Sequence, residues 1–184
     1  IDECLSVLTR MLAAGNDLLI VSKPWLACIT RLCDELAPYR AQIVFRFSIG
    51  STDAAILSHW EPGAPSFKER LASLKTAHLR DFQTSVSGEP MLDGDPDSLI
   101  AAVRPHVTDS IWLGKINRLR NILPLNCPHD AEAMRRGEVL MATQTDAAIR
   151  TLYRRYRSDP LIKWKDSIKS VLDLVRPSAP GLDT

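Results

Sequence analysis

The chain has 184 residues, of which 45% are hydrophobic and 24% charged, a composition typical of a globular domain with a substantial core. Lysine plus arginine (23) nearly cancels aspartate plus glutamate (22), so the net charge of +1 creates no overall field for nucleic acid or anionic lipid. No apolar run approaches the roughly 18–20 residues of a membrane span, and the first residues lack a signal-peptide pattern. We therefore expect a cytoplasmic protein without a membrane partner.

The first residues predict a helix from Asp2 to Ala14, with Leu5, Leu8 and Leu12 on one face and Gly15 at its end. The chain has no initiator methionine, and a chain that opens on a helix is typical of a fragment. Removal of the methionine would give the same start. We expect the sequence to be the later part of a longer protein.

Strand-like and helical segments then alternate, which favours a parallel sheet covered by helices. The predicted strands are Asp17 to Ser22, Gln42 to Ser48, Phe82 to Ser87 and Ser110 to Leu113. The predicted helices are Pro24 to about Pro38, Thr52 to Trp60, a helix capped by Ser66 that includes Ala77, and Asp97 to Val103. Four parallel strands do not close a barrel, so we expect an unpaired N-terminal edge.

The pattern changes beyond Pro124, where a loop leads into mostly helical sequence as far as Val175. The last residues are rich in Pro, Ser and Gly, which is typical of a loose tail. We therefore predict three parts: the later part of a partial barrel over residues 1–125, a helical C-terminal extension over 126–175, and a flexible tail over 176–184.

The cysteines do not form a recognisable ligand pattern. No two of Cys4, Cys28, Cys33 and Cys127 are spaced as CxxC, and a chain without an export signal is not expected to carry a disulfide framework. Cys127 and His129 could supply half of a metal site, but nothing at ligand spacing completes it. We predict free thiols and no metal ligands in this chain.

Ligands of parallel α/β sheets lie beyond the carboxyl ends of the strands. Those ends include Ser22-Lys23, Ser48-Ile49-Gly50, Ser87-Gly88-Glu89 and Gly114-Lys115. They are polar or small, whereas the strand interiors are largely apolar. This contrast favours a polar ligand site at one rim of the sheet, although strand ends turn polar in many proteins. No GxSxG elbow, P-loop or Rossmann glycine pattern is present.

Residues 42–77, QIVFRFSIGSTDAAILSHWEPGAPSFKERLASLKTA, carry a more specific pattern. A strand ending in Arg46-Phe47-Ser48-Ile49 is followed by a helix, the turn Glu61-Pro62-Gly63 and a helix containing Arg70-Leu71. In order and spacing this stretch resembles the spore photoproduct lyase-like branch of the radical S-adenosylmethionine superfamily. The resemblance extends over about 17–117, and more faintly to 164–168.

The resemblance implies a partial (β/α) barrel of parallel strands, with a 4Fe–4S cluster held by a CxxxCxxC loop after the first strand. S-adenosylmethionine chelates the cluster, and its reductive cleavage yields a 5′-deoxyadenosyl radical that abstracts hydrogen from a substrate. No CxxxCxxC occurs in these 184 residues, and Cys28 and Cys33 cannot replace it. We therefore expect an enzyme fragment that is inactive by itself.

The resemblance also implies cofactor-binding residues. Lys23 matches the position that meets the methionine carboxylate, and Ser48 the position that hydrogen-bonds the ribose or the amino-acid end. The other matching positions, near ribose and adenine, are Ser85, Ser87, Glu89, Gly114 and Lys115. Ordinary structural roles compete: a solvated lysine for Lys23, a turn-capping hydroxyl for Ser48 and a pre-proline turn for Glu89.

The C-terminal helical region concentrates positive charge among aromatic residues: Arg150, Arg154, Arg155, Arg157, Lys163 and Lys165, with Tyr153, Tyr156 and Trp164. This composition suits nucleic acid or another phosphate-bearing partner, although a salt-bridged, solvated helix face has it too. Two other functions therefore stay open. One is a non-catalytic nucleic-acid- or partner-binding module on a degenerate barrel. The other is an aldolase-type enzyme with Lys23 or Lys115 as its Schiff-base amine.

Overall fold

A computed structural model describes residues 1–176 and residue 178. Within them, five strands form one sheet: β1 (Leu18–Ser22), β2 (Ile43–Ser48), β3 (Gln83–Gly88), β4 (Ser110–Leu113) and β5 (Ile162–Trp164). All neighbouring strands are parallel, and their order in the sheet is their order in the chain. The α/β class and the first four strands are confirmed, each strand within one residue of its predicted bounds.

The helices of the described residues are α1 (Asp2–Ala13), α2 (Leu26–Glu35), α3 (Ala54–Trp60), α4 (Phe67–Leu79), α5 (Pro96–Val103), α6 (Leu119–Asn126), α7 (Ala131–Thr143), α8 (Asp146–Tyr156) and α9 (Asp166–Leu172). The predicted cap at Ser66 is confirmed, because its side chain accepts a hydrogen bond from the Glu69 amide. Every helix in this part of the chain is too short or too polar to traverse a lipid bilayer.

β5 lies where the sequence predicts a mostly helical region and no strand. It has three residues, with Lys163 at the centre, so it offers no apolar run by which a strand is recognised. Pairing with β4 nevertheless places Ile162 and Trp164 in the core, where Ile149 of α8 and Ile168 of α9 join them. The residues predicted to form a helical extension therefore extend the sheet and its core. The predicted tail lies outside the described residues apart from positions 176 and 178.

The two faces of the sheet differ in chemistry. One face packs against helices, and its strand residues Phe45, Phe47, Val86, Ile111 and Leu113 are fully buried. Because side chains alternate along a strand, the opposite face carries the residues between them. We call this opposite side the polar face. Its residues on strands β2 to β5 are Val44, Arg46, Ser48, Gln83, Ser85, Ser87, Ser110, Trp112 and Lys163.

The polar face changes character at β1, the edge strand of the sheet. There it carries Leu19 and Val21, whose side chains are about half exposed (49% and 55%). An edge strand with exposed apolar side chains is a surface that proteins usually cover or charge. The predicted unpaired N-terminal edge is therefore present among the described residues.

Candidate functional site

The carboxyl ends of the strands meet at one rim of the sheet, as the parallel order requires. Ser48 and Ser87 are direct neighbours in the β2–β3 register, and the Ile49 amide donates to the Ser87 carbonyl at 2.9 Å. Lys23 follows β1 at the same end, and Glu89 follows β3. These four predicted cofactor residues, together with Gly114 after β4, therefore lie along one rim.

Arg70 connects the three segments that carry the family resemblance. Its side chain is fully buried, and its Nε donates to the Pro65 carbonyl at 2.8 Å. Its Nη1 donates to the Ser48 carbonyl at 3.0 Å, and its Nη2 forms an ion pair with Glu61 at 2.5 Å. Arg70 thus ties the Glu61 turn and the start of α4 to the carboxyl end of β2.

Glu61 also reaches the proposed cofactor lysine. Its second carboxylate oxygen lies 3.5 Å from the Lys23 ammonium, whose side chain is 44% exposed. Because Arg70 holds one oxygen of this carboxylate, the other oxygen is positioned beside Lys23. The sequence predicts a helix-supporting turn at Glu61, and the ion pairs give that carboxylate a second task, to orient Lys23.

Ser85 lies deeper in the sheet than the rim. Its hydroxyl donates to the Ser110 carbonyl at 2.8 Å and accepts from Arg46 Nε at 3.1 Å. The side chain is fully buried. Ser85 therefore links β2, β3 and β4 on the polar face, and its hydrogen bonds are made to protein.

Glu89 and Gly114 form one packing unit at the rim. A Cβ on Gly114 would lie 2.7 Å from Glu89 Cγ and 2.9 Å from Glu89 Cβ, so the glycine provides room for that side chain. The Glu89–Pro90 peptide is cis. The Glu89 carboxylate lies 3.6 Å from the Lys165 ammonium. The conformation of this rim thus depends on a residue from beyond β5.

Lys115 contacts the C-terminal helices. Its ammonium forms an ion pair with Asp146 at 3.1 Å, at the first turn of α8, and its amide donates to Ser167 Oγ at 3.0 Å. Lys115 therefore connects the end of β4 with α8 and α9.

A cluster around Trp112 was missed by sequence reasoning. The Arg46 guanidinium carbon lies 5.1 Å from the Trp112 ring centroid, and Lys165 Nζ lies 4.8 Å from it. In the β4–β5 register, Lys163 is the direct neighbour of Trp112. The signal in the sequence is the polar residue at alternate positions of each strand, but without the register these positions cannot be assigned to one surface.

The basic and aromatic residues near the C-terminus do not form one surface. Arg155 forms an ion pair with Asp97, and the Tyr156 hydroxyl donates to the same carboxylate at 2.5 Å. Tyr153 and Trp164 pack edge to face in the core, with centroids 5.3 Å apart. Lys163 and Lys165 belong instead to the polar-face cluster. The predicted phosphate-binding surface on the helices is thus divided among several environments.

All four cysteines are free, as predicted. Cys4 is exposed, whereas Cys33 is buried, and desolvation raises the pKa of the Cys33 thiol to about 11 although Arg80 lowers it. Within residues 1–176 and 178, no three His, Cys, Asp or Glu side chains are grouped so that they could hold a metal ion. These residues therefore do not fit a 4Fe–4S cluster.

An apolar cleft of about 650 Å³ opens beside Lys23, between α1 and α2. Val7, Trp25 and Cys28 are among the residues that line it.

Comparisons with protein-family models, curated proteins and solved structures gave no match. Function must therefore be inferred from the chemistry of the rim and the polar face, together with the resemblance of residues 42–77.

Proposed function

We propose that this chain is part of a radical S-adenosylmethionine enzyme whose cofactor lies at the rim formed by Lys23, Ser48 and Ser87. The observation that carries the proposal is the junction at Arg70. This buried guanidinium contacts both the Ser48 carbonyl and Glu61, so the segments on which the resemblance depends form one unit at the carboxyl end of β2.

The order of the strands supports a partial barrel. Parallel crossovers are right-handed, so a sheet whose strands always step in one direction receives its helices on one face. The chain has this order, and six of its described helices, α1, α2, α4, α5, α8 and α9, share a core with the apolar face. A doubly wound sheet reverses its order and is covered on both faces. The polar face would then be the inner surface of the barrel, where substrate and cofactor meet.

The polar groups at the rim suit the proposed cofactor. The partly exposed Lys23 ammonium can meet the methionine carboxylate, with Glu61 holding it in place. Ser48 and Ser87, neighbours in the sheet, can hydrogen-bond the ribose or the amino-acid end. When bound and reduced, S-adenosylmethionine supplies a 5′-deoxyadenosyl radical for hydrogen abstraction.

The 4Fe–4S cluster is assigned to no residue of this chain, because the described cysteines are dispersed and CxxxCxxC is absent. Cluster ligation would have to come from residues outside these 184. We therefore expect the chain by itself to produce no radical.

The test uses the product of the complete gene, reconstituted with iron and sulfide without oxygen. After reduction with dithionite we expect it to convert S-adenosylmethionine to 5′-deoxyadenosine. Lys23→Gln should weaken S-adenosylmethionine binding about tenfold, the loss of one charge-assisted contact. Lys68→Gln, an exposed lysine on α4, is the matched control and should bind as the unaltered protein does.

An intact cluster that yields no 5′-deoxyadenosine would overturn the enzymatic proposal. A gene product without CxxxCxxC would instead favour the binding-module alternative. An aldolase-type function would require borohydride to trap a carbonyl substrate on Lys23 or Lys115.

A further inference from the structure

We infer that the polar face binds an oxyanion, a phosphate or carboxylate group, beside Trp112. Lys163, Lys165 and Arg46 would supply the positive charge, and the Trp112 indole N–H would supply a directional hydrogen bond. The site itself is inferred from the described residues. Only its assignment to the substrate of the enzyme rests on the function proposed above.

The indole of Trp112 is a buried donor without an acceptor among the described residues. The side chain is 3% exposed, and its Nε1 has no hydrogen-bond partner in the described part of the chain. An indole nitrogen only donates, so the missing partner must be an acceptor. Buried donors without acceptors are rare because their desolvation is not compensated. A ligand oxygen would satisfy this donor.

Positively charged side chains lie around the Trp112 ring. Arg46 and Lys165 lie within about 5 Å of the ring centroid, at 5.1 and 4.8 Å, and Lys163 is adjacent to Trp112 in the register. The Glu89 carboxylate lies 3.6 Å from the Lys165 ammonium, which is more distant than in a tight ion pair. Lys163 and Lys165 face one carboxylate, Glu89, in the described ion pairs, and this balance favours an anionic ligand over a neutral one.

The Ser85 and Ser110 hydroxyls on the polar face already have hydrogen-bond partners. The Ser110 hydroxyl donates to Asp109 at 2.5 Å and lies 3.0 Å from the Ser85 hydroxyl. Ser85 in turn accepts from Arg46 and donates to the Ser110 carbonyl. These hydroxyls are therefore used among themselves. A phosphate or carboxylate, with several lone pairs, could accept from the indole N–H and an ammonium together.

The site beside Trp112 adjoins the rim proposed for the cofactor. Trp112 is the direct neighbour of Ser87 in the β3–β4 register, and Ser87 is one of the rim residues proposed for the cofactor. An oxyanion beside Trp112 would thus lie next to the proposed cofactor on the inner surface of the sheet. A substrate group held there would be close to the radical, so we assign the oxyanion to the substrate.

The experiment follows the indole N–H signal of Trp112 by nuclear magnetic resonance in the ¹⁵N-labelled chain, assigned with Trp112→Phe. Inorganic phosphate and acetate are titrated separately at constant ionic strength, with chloride as the balancing salt. We expect a saturable shift of the Trp112 signal, whereas the other three of the four tryptophans serve as internal references. Lys163→Gln and Lys165→Gln should each weaken the response about tenfold.

Lys68→Gln removes the same charge on exposed α4 and should leave the titration unchanged. Saturation by both probes indicates a general oxyanion site, and saturation by phosphate alone indicates a phosphate site. No saturable shift with either probe would overturn the inference, as would equal losses in Lys68→Gln and Lys165→Gln. Because Lys163 is partly exposed on the last strand, its variant should stay folded if Trp112→Phe does not.

The two proposals fail separately. Phosphate binding at Trp112 without 5′-deoxyadenosine formation would leave the oxyanion site and remove the radical chemistry. Formation of 5′-deoxyadenosine without a response of Trp112 would do the reverse.

Discussion

Arg70 is a charged side chain with 0% exposure, and its surroundings explain how that is tolerated. Two backbone carbonyls and the Glu61 carboxylate surround the guanidinium, which presents donors in several directions. A buried charge that loses its partner is far costlier than a surface charge. The residue scale thus accounts for the junction between the rim and α4.

Replacing Arg70 with methionine should lower the free energy of unfolding by about 3–5 kcal/mol, because Glu61 loses its main partner and two carbonyls lose their donor. Urea unfolding followed by circular dichroism measures this change. The matched control is Arg31→Met on α2, where an exposed arginine faces Glu35 and Asp2. That change should cost about 1 kcal/mol or less.

The double variant Glu61→Gln, Arg70→Met should be less destabilised than the sum of the two single variants, since it leaves no unpaired charge in the buried Arg70–Glu61 pair. Strict additivity of the two substitutions would contradict a direct pairing of the two residues.

Cys33 and Cys4 should differ in reactivity. The thiolate is the nucleophile, and the pKa of Cys33 is raised to about 11, so Cys33 is protonated at neutral pH as well as buried. Iodoacetamide at pH 8 should modify exposed Cys4 first and reach Cys33 only on unfolding. Mass spectrometry of the resulting peptides decides the order, and equally fast labelling of Cys33 in the folded protein would refute its burial.

The raised pKa also has a consequence for stability. Below the ordinary pKa of 9.0, the Cys33 thiol is neutral in both folded and unfolded states, so its contribution is fully present. Between 9.0 and about 11 only the unfolded state ionises, and stability falls as the pH rises. Cys33→Ala should remove this component of the alkaline decline in urea midpoints.

At the scale of elements, β5 decides whether the C-terminal region is an extension or part of the sheet. Its first and last residues, Ile162 and Trp164, are buried, while Lys163 between them lies on the polar face. The Lys165 amide continues the connection by donating to the Leu113 carbonyl at 2.9 Å. A strand this short is stabilised by its neighbour and by α8 and α9, and hardly by its own propensity.

Trp164→Ala should lower the free energy of unfolding by about 3–5 kcal/mol, because it removes a large side chain packed against Tyr153. Lys163→Ala, one position away on the other face, is the control and should cost much less. Thermal unfolding of both variants checks this. Similar small effects would mean that β5 is not integral to the core.

At the scale of the whole molecule, one hydrophobic cluster joins α1 at one end of the sheet to β5 and α9 at the other. Helices α1, α2, α4, α5, α8 and α9 contribute to this cluster on one face, and the cations, hydroxyls and Trp112 lie on the other face. This division follows from the sequential strand order together with right-handed crossovers. It leaves one surface of the sheet for a ligand.

A shared core predicts one cooperative transition. Leu5→Ala in α1 and Trp164→Ala in β5 should both shift a single unfolding curve, with circular dichroism and tryptophan fluorescence giving the same midpoint. Separate midpoints, or a variant that shifts only one probe, would show that the two ends of the sheet unfold independently.

Much of the fold follows from local patterns. The first strands are short apolar runs, the cap at Ser66 is a local hydrogen bond, and the βα alternation indicates a parallel sheet. β5 escaped this reasoning because a three-residue strand with a central lysine has no such pattern.

The strand-end positions of several predicted site residues follow from the sequence, whereas their contacts do not. Lys23, Ser48, Ser87 and Glu89 follow from their positions at strand ends, where parallel order brings them to one rim. Ser85 and Lys115 contact Ser110 and Asp146, and no spacing in the sequence reveals these contacts. Their partners are distant along the chain, so only the folded backbone selects them.

By itself, the sequence determined the α/β class, the first four strands and the rim that their ends form, because these depend on residues close together in the chain. Only the tertiary structure decided that Arg70 joins the rim to Glu61. It also decided that Lys163 and Lys165 lie beside Trp112 on the polar face and not among the basic residues of α8, and that Arg46 lies beside the same ring. The physical reason is register: a shift of one residue turns every side chain of a strand to the other face, and register is set by packing across the whole sheet.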